Sequence, residues 1–199
     1  MGDDPTLRRY AWQIEFNRQP YPHRYLAHVF QAWENLPGIH PAQQNRLRIP
    51  LGTVGDSTDV LYAEAHALVE LVTERLRTVE PADLAVSGFV HRNGQLVLQV
   101  RENALLDTIT DVIRTCAGDV ASLRPEMATD HHCLLALADT DEAAGRALDA
   151  LAVANLQDQV EQVHVQQITH VLLNDVTFTT AIWTHLDTVA LGAADRVQS

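Results

Sequence analysis

The chain has 199 residues, of which 46% are hydrophobic, and this is enough material for one well-packed domain or two small lobes that share a core. Its formal net charge is −12, and all fourteen basic residues are arginines, so the chain offers no lysine for Schiff-base or general-base chemistry. Such an acidic chain also lacks the broad positive field that holds a long nucleic acid, although a few arginines can still bind a small or terminal phosphate.

Cysteine and histidine usage gives no sign of a metal or cofactor. Cys116 and Cys133 neither suggest a disulfide framework nor belong to a metal-spaced cluster, so we expect a reduced, cytoplasmic protein. No apolar stretch approaches the roughly 18 residues of a membrane helix, so we expect no membrane partner. Ten histidines could suggest a metal site, but no His-x-His or His-x-x-x-His pair occurs, and the adjacent His131 and His132 should point apart. We therefore expect no metal and no cofactor.

The first half of the chain predicts two strands, each followed by a helix. Apolar and polar residues alternate from Arg9 to Phe16, which indicates a half-buried strand. Apolar residues then fall at helical spacing from Tyr25 to Trp33, and a Pro-Gly pair ends this helix. Leu47 to Val54 predicts the second strand. Asp59 is a candidate N-cap for a long helix with an apolar stripe.

The second half begins with a predicted hairpin. Leu84 to Val90 and Gln95 to Val100 are β-rich runs, and the Asn-Gly pair between them is typical of a tight hairpin turn. Asn103 is expected to cap a helix that reaches Gly118. The elements predicted after it are a strand, a helix, two strands and a terminal amphipathic helix, over residues 132–138, 141–154, 160–173 with a break near 166, and 179–191. No low-complexity linker interrupts residues 1–199, which favours a single domain.

Two apolar strands each carry one polar group that could do chemistry. The first runs from Leu47 to Gly55 and the second from His132 to Ala138. Residues two apart on a strand face the same side, so Arg48 and Pro50 should share one face of the first strand. On the second strand, His132 should share a face with Leu134.

Along nearly its whole length the chain resembles the 2H phosphoesterase superfamily, the LigT-like or 2′-5′ RNA ligase-like proteins. In that family, two His-x-Thr/Ser motifs lie on strands of two pseudo-symmetric lobes and face one another across a cleft. Arg9 to Ile14 is similar to the family's opening strand, Leu47 to Gly55 to its first motif strand, and Asp130 to Ala136 to its second. The resemblance implies an α+β, bilobal fold over residues 1–199, with two antiparallel sheets facing a central cleft and helices outside.

Three of the four signature positions differ from the family's motifs. Arg48 and Pro50 stand where the family has His and Thr, and in the second motif His132 is kept while Leu134 replaces Thr. The family's reaction needs one imidazole to take a proton and another to give one, but an arginine cannot act as a general base at neutral pH. It can hold a phosphoryl or carboxylate group. The resemblance thus implies His132 as a single acid/base and Arg48 as an anion anchor.

Other residues are candidates for substrate contact. Pro50 and Leu134 would lie beside the two motif residues, and a proline inside a strand also indicates an edge or a bulge there. Four aromatic residues could line the cleft and stack on a planar ligand: Tyr10, Trp12, Phe89 and Trp183. Structural roles stay open for Arg48 and His132, because strand arginines are usually surface residues and buried histidines are often satisfied within a core. His131 could replace the lost histidine only if it reached the cleft from the opposite face of its strand.

Three functions remain open at the level of sequence. The first is a diverged 2H phosphoesterase-like enzyme that acts on a small phosphate- or carboxylate-bearing substrate, either as a phosphodiesterase-like hydrolase or with its cleft repurposed for non-phosphoryl biosynthetic chemistry. The second is a non-catalytic nucleotide- or anion-binding protein. The third is an interaction partner whose cleft is vestigial. The oligomeric state is not predicted.

Overall fold

The computed structural model describes residues 8–20, 24–101, 103–120, 122–174 and 183–192. These residues form ten strands and four α-helices: β1 (Arg8–Glu15), α1 (Arg24–Ala32), β2 (Ile39–Pro41), β3 (Arg48–Asp56), α2 (Tyr62–Leu76), β4 (Ala82–Arg92), β5 (Gln95–Val100), α3 (Ala104–Gly118), β6 (Glu126–Met127), β7 (His132–Ala138), α4 (Asp141–Val153), β8 (Val160–Val165), β9 (Gln167–Asn174) and β10 (Trp183–Ala190). Two short 3-10 helices lie at Phe16–Arg18 and Gln44–Arg46.

The strands form two five-stranded antiparallel sheets, which confirms the predicted α+β, bilobal fold. The first sheet has the order β10-β9-β1-β3-β6, and the second has the order β2-β7-β5-β4-β8. Helices α2 and α3 pack together beside the first sheet, where α2 contacts β10 and α3 contacts β3. Helices α1 and α4 pack together beside the second sheet, where α4 contacts β2, β4 and β7. Strands β3 and β7 touch each other, so the two sheets meet there.

Strand β1 is more deeply buried than the alternating sequence predicts. It lies between β9 and β3, and its last six residues are all buried. The residues predicted to be apolar and inward, such as Trp12 and Ile14, are buried, but so are the polar Gln13 and Glu15 on the other face. Buried polar side chains need hydrogen-bond partners, and these two have them, as described below.

Helix α2 begins later than the predicted N-cap. The backbone N–H groups of Asp59 and Val60 both donate to the carbonyl of Asp56, which closes a turn before the helix. The residue at the N-cap is Leu61, whose N–H donates to the Glu64 carboxylate at 2.9 Å. The prediction for Asp59 was therefore wrong, because the acidic side chain that serves the first turn comes from inside the helix.

Local turn and capping signals in the middle of the chain are confirmed. Asn93 and Gly94 have φ values of 50° and 76°, and two successive positive values match the tight turn predicted between β4 and β5. Asn103 caps α3 by accepting a hydrogen bond from the N–H of Leu105 at 2.8 Å. The predicted break near residue 166 is also present, and it separates β8 in the second sheet from β9 in the first.

The predicted terminal helix is wrong where it can be checked. Residues 183–190 form β10, which pairs with β9 along the edge of the first sheet, and residues 179–182 lie outside the described residues. The strand has a register shift between His185 and Asp187. A bulge of this kind interrupts the two-residue alternation, so Trp183, Leu186 and Val189 recur every three residues, as they would on a helix. The short strands β2 and β6 were not predicted at all.

No helix among the described residues is long and apolar enough to cross a membrane.

Candidate functional site

The two strands expected to carry the motifs lie against each other. The ring nitrogen Nδ1 of His131 is 3.3 Å from the carbonyl oxygen of Pro50. Burial raises the pKa of the Cys133 thiol to about 12, and the nearby backbone N–H and guanidinium of Arg48 oppose this shift. His132 is the chain neighbour of this cysteine, about 3.8 Å away along the Cα trace. The beginnings of β3 and β7 therefore meet.

The predicted faces agree with the burial along both strands. On β3, Arg48 is half-buried and Pro50 is exposed, while the residues between and after them are fully buried. On β7, His132 and Leu134 are half-buried, while Cys133 and Leu135 are fully buried. The register of β3 against β1 shifts next to Pro50, so the bulge that a strand proline predicts is present.

The imidazole of His132 keeps a nitrogen unused. Its Nδ1 atom is buried and has no hydrogen-bond partner in the described part of the protein. A buried polar atom without a partner costs free energy, so this orphaned nitrogen is a feature that packing alone does not explain. His131 is engaged differently, because its Nδ1 faces the Pro50 carbonyl.

The guanidinium of Arg48 is held by an amide and by an aromatic ring. Its Nη1 donates a short hydrogen bond to Gln13 Oε1, and its central carbon lies 4.6 Å from the centroid of the Trp183 ring. The Arg46 guanidinium lies 5.3 Å from the same ring. Burial lowers the pKa of Arg48 to about 10, and the nearby Glu15 carboxylate opposes this shift. Arg48 stays protonated at neutral pH and keeps a positive charge at the site.

Behind Arg48 lies a small buried polar cluster. Gln13 Nε2 donates to Glu15 Oε1 at 3.0 Å, and Arg18 Nε donates to Glu15 Oε2 at 3.2 Å. Gln13 is 1% exposed and Glu15 is 4% exposed. Sequence reasoning missed both, because they look like the solvent face of an amphipathic strand. Only the register of β1 against β3, which pairs Glu15 with Arg48, brings them to the site.

Solved structures of known proteins share this architecture, and three of them illustrate it. E. coli LigT in its apo form is 15% identical over 94% of this chain and 98% of its own, with a TM-score of 0.62. A crystal structure of a phosphoesterase is 16% identical over 93% of this chain and 98% of its own, with a TM-score of 0.63. The MHV ns2 PDE domain is 12% identical over 89% of this chain and 97% of its own, with a TM-score of 0.53.

The matches cover both sheets and nearly all of each compared chain. The chain has the LigT-like fold. At such low identity the likeness concerns the fold, and in that respect the resemblance to the 2H phosphoesterases is confirmed. No protein-family model and no curated protein matches the sequence.

Three of the four aromatic candidates are buried in the core and cannot stack on a ligand in this LigT-like fold. Tyr10 and Trp12 stack on the buried His170 at centroid distances of 5.8 and 4.8 Å, on the face of β1 opposite to Gln13. Phe89 is 7% exposed and packs against aromatic rings of α1 and the turn after it. These corrections have one cause, because large strand aromatics bury most apolar area against the helices.

Contacts among the described residues join Arg48 to Trp183 and the carbonyl of Pro50 to His131, where β3 and β7 meet. Arg48 and Pro50 come from β3, His132 and Leu134 come from β7, and Trp183 joins Arg48 from β10. Within the described ranges, no group of three His, Cys, Asp or Glu side chains could hold a metal ion.

Proposed function

We propose that this chain is a diverged phosphoesterase-like enzyme for a small phosphate- or carboxylate-bearing substrate. Arg48 holds the anionic group, and His132 is the single acid/base. The observation that carries the proposal is the meeting of β3 and β7, in which Arg48 lies near Cys133, the neighbour of His132, and His131 reaches the carbonyl of Pro50. The proposal thus assigns a permanent cation and an imidazole to the junction of the two sheets.

The chemistry follows from what each group can donate. A guanidinium has five N–H donors, and Gln13 takes one from Arg48, so other N–H groups of Arg48 can bind phosphate or carboxylate oxygens. A neutral His132 can take a proton from a hydroxyl or water nucleophile and later return it to the leaving oxygen. Because one imidazole must perform both steps in turn, we expect a rate lower by about 10² to 10⁴ than that of a two-histidine site. Pro50 and Leu134 supply no hydroxyl to the substrate.

The structural neighbours indicate which compounds to test first. Structures of E. coli LigT hold 3′-AMP, phosphate, ATP or NADP+. For this chain we propose phosphate esters of nucleotides, including 2′,3′-cyclic and 2′,5′-linked forms, as the first substrates to assay. The acidic net charge disfavours a long nucleic acid as substrate.

The test compares turnover and binding in matched variants. His132→Ala and Arg48→Met are assayed for hydrolysis of these esters, and 3′-AMP binding is followed by thermal shift. We expect His132→Ala to lose turnover while its melting temperature and 3′-AMP binding persist, and Arg48→Met to lose binding. His28→Ala, on an exposed side of α1, is the control for loss of a histidine elsewhere. Turnover in His132→Ala equal to that of the unmodified protein would refute the acid/base role.

A second candidate function is anion binding without turnover. The observation that favours it is the arginine at position 48, where the family resemblance implies a histidine, because an arginine can bind an anion but cannot act as a base. In that case 3′-AMP would raise the melting temperature by mass action, while no ester would be hydrolysed. Absence of both binding and hydrolysis would reject both functions.

A further inference from the structure

We propose that Gln13 is a positioning residue that keeps the positive charge of Arg48 available for the substrate anion, by placing a neutral amide between Arg48 and the buried carboxylate of Glu15. The inference rests on the proposed function, because it concerns how the anion anchor is prepared. It assigns a role to a residue outside both motif strands.

The path of hydrogen bonds carries the inference. Glu15 is the direct cross-strand partner of Arg48, yet the Arg48 guanidinium donates to the side chain of Gln13, the partner of Pro50. Gln13 then donates from its Nε2 to Glu15 Oε1 at 3.0 Å. The orientation of the amide is fixed at both ends, because a guanidinium only donates and a carboxylate only accepts.

The charges of the cluster do not cancel. Arg18 Nε lies 3.2 Å from Glu15 Oε2 and neutralises that carboxylate, so Arg18, Glu15, Gln13 and Arg48 together carry one net positive charge. Coulomb attraction weakens with distance, and the amide keeps Glu15 out of ion-pair contact with Arg48. With Gln13 and Glu15 almost fully buried, water screens this charge poorly, and an anion is the natural complement.

The ring of Trp183 completes the positioning. Its centroid lies 4.6 Å from the central carbon of Arg48, which is cation–π distance, and the hydrogen bonds of a guanidinium leave from its edge. Gln13 occupies part of that edge through Nη1. The remaining edge is where an oxygen pair of a phosphate or carboxylate would bind.

The sharpest test exchanges the amide and the carboxylate. The double variant Gln13→Glu/Glu15→Gln keeps the net charge, the side-chain sizes and the capacity for the same chain of hydrogen bonds, but it puts a carboxylate directly on Arg48. We expect binding of inorganic phosphate and 3′-AMP, measured by calorimetry, to weaken by about tenfold or more while the melting temperature stays close to that of the unmodified protein. Glu142→Gln, which alters an exposed ion pair on α4, is the control and should not change binding.

A single variant gives a change of the opposite sign. Glu15→Gln removes the negative charge that lies beyond Gln13 without placing a carboxylate on Arg48, so 3′-AMP should bind at least as tightly as before, even if the protein becomes less stable. A purely structural role would instead weaken binding in both variants in proportion to the loss of stability. If the double variant fails to fold, Glu15→Gln alone decides, and weaker 3′-AMP binding in this single variant would overturn the role of Gln13.

The outcomes separate this inference from the proposed function. If the unmodified protein binds 3′-AMP, and Arg48→Met abolishes binding, but the exchanged variant binds as before, the role of Gln13 is overturned and the anion site stands. If the unmodified protein binds neither phosphate nor 3′-AMP, both the site and the role of Gln13 are rejected.

Discussion

The buried histidine of the first sheet should make folding stability depend on pH. His170 is 1% exposed and stacks on Tyr10 and Trp12, and neither of its ring nitrogens has a hydrogen-bond partner in the described residues. The Asp187 carboxylate lies 3.6 Å from its Nδ1, which is too far for a hydrogen bond. Burial therefore outweighs this carboxylate and lowers the pKa of His170 from 6.5 to about 4.

The sign of the effect follows from proton uptake. Between pH 6.5 and about pH 4 the unfolded chain binds a proton at His170 and the folded protein does not, so the free energy of unfolding falls as the pH is lowered through this range. The contribution is fully present above the unfolded pKa of 6.5 and is lost progressively down to about 4. Each pKa unit corresponds to about 1.4 kcal/mol, so going from pH 7.5 to pH 5 should cost about 2 kcal/mol at this residue.

The measurement is the free energy of unfolding in urea at the two pH values. His170→Phe keeps an aromatic ring between Tyr10 and Trp12 but removes the titration, so it should lose about 2 kcal/mol less than the unmodified protein on acidification. His28→Gln is the matched control on an exposed surface. Equal pH dependence in His170→Phe and the unmodified protein would mean that the buried imidazole is protonated in the folded state, and the reasoning would be refuted.

Three further predictions concern packing, capping and thiol access. Gly52→Ala should destabilise the protein by more than about 2 kcal/mol in urea unfolding, because Gly52 has φ +150° and a Cβ would lie 2.6 Å from the Glu126 carbonyl. Gly145→Ala is the matched control in α4, where a Cβ would have no atom from outside its own helix within 4 Å. It should stabilise the protein by up to about 1 kcal/mol. Asn103→Ala should cost about 1 kcal/mol in the same assay through loss of the α3 cap. Cys133 is fully buried, which raises its pKa to about 12, so it should resist maleimide labelling until the protein unfolds. Labelling of the folded protein as fast as an exposed thiol would contradict this.

Elements of the fold that depend on local chemistry could be predicted from the sequence. The Asn93-Gly94 turn and the Asn103 cap are each specified by residues within a few positions of one another, and both form as expected. The β10 strand was mistaken for a helix because its bulge spaces apolar residues three apart. The pairing of β10 with β9, which makes it a strand, is a tertiary contact that the local sequence does not specify. Short strands such as β6, with two residues, carry too little periodicity to detect.

The site could be predicted only in part, for a similar reason. Alternation along a strand placed Arg48 and Pro50 on one face without knowledge of the partner strand. It could not reveal that Glu15 is paired with Arg48, since that depends on the register between β1 and β3. Alternation also could not show which face of β1 is buried in the core, and Trp12 lies on that face.

An arginine at position 48 makes demands on its surroundings that an imidazole there would not make. A neutral imidazole tolerates burial, whereas a permanent cation needs acceptors and a counter-charge nearby, because desolvation otherwise disfavours its charged form. In this protein the amide of Gln13 supplies the acceptor, Trp183 supplies an aromatic face, and Glu15 supplies negative charge at a distance. Arg48 and these three side chains therefore form one energetic unit, and substitution of any of them should alter the anion site through the others.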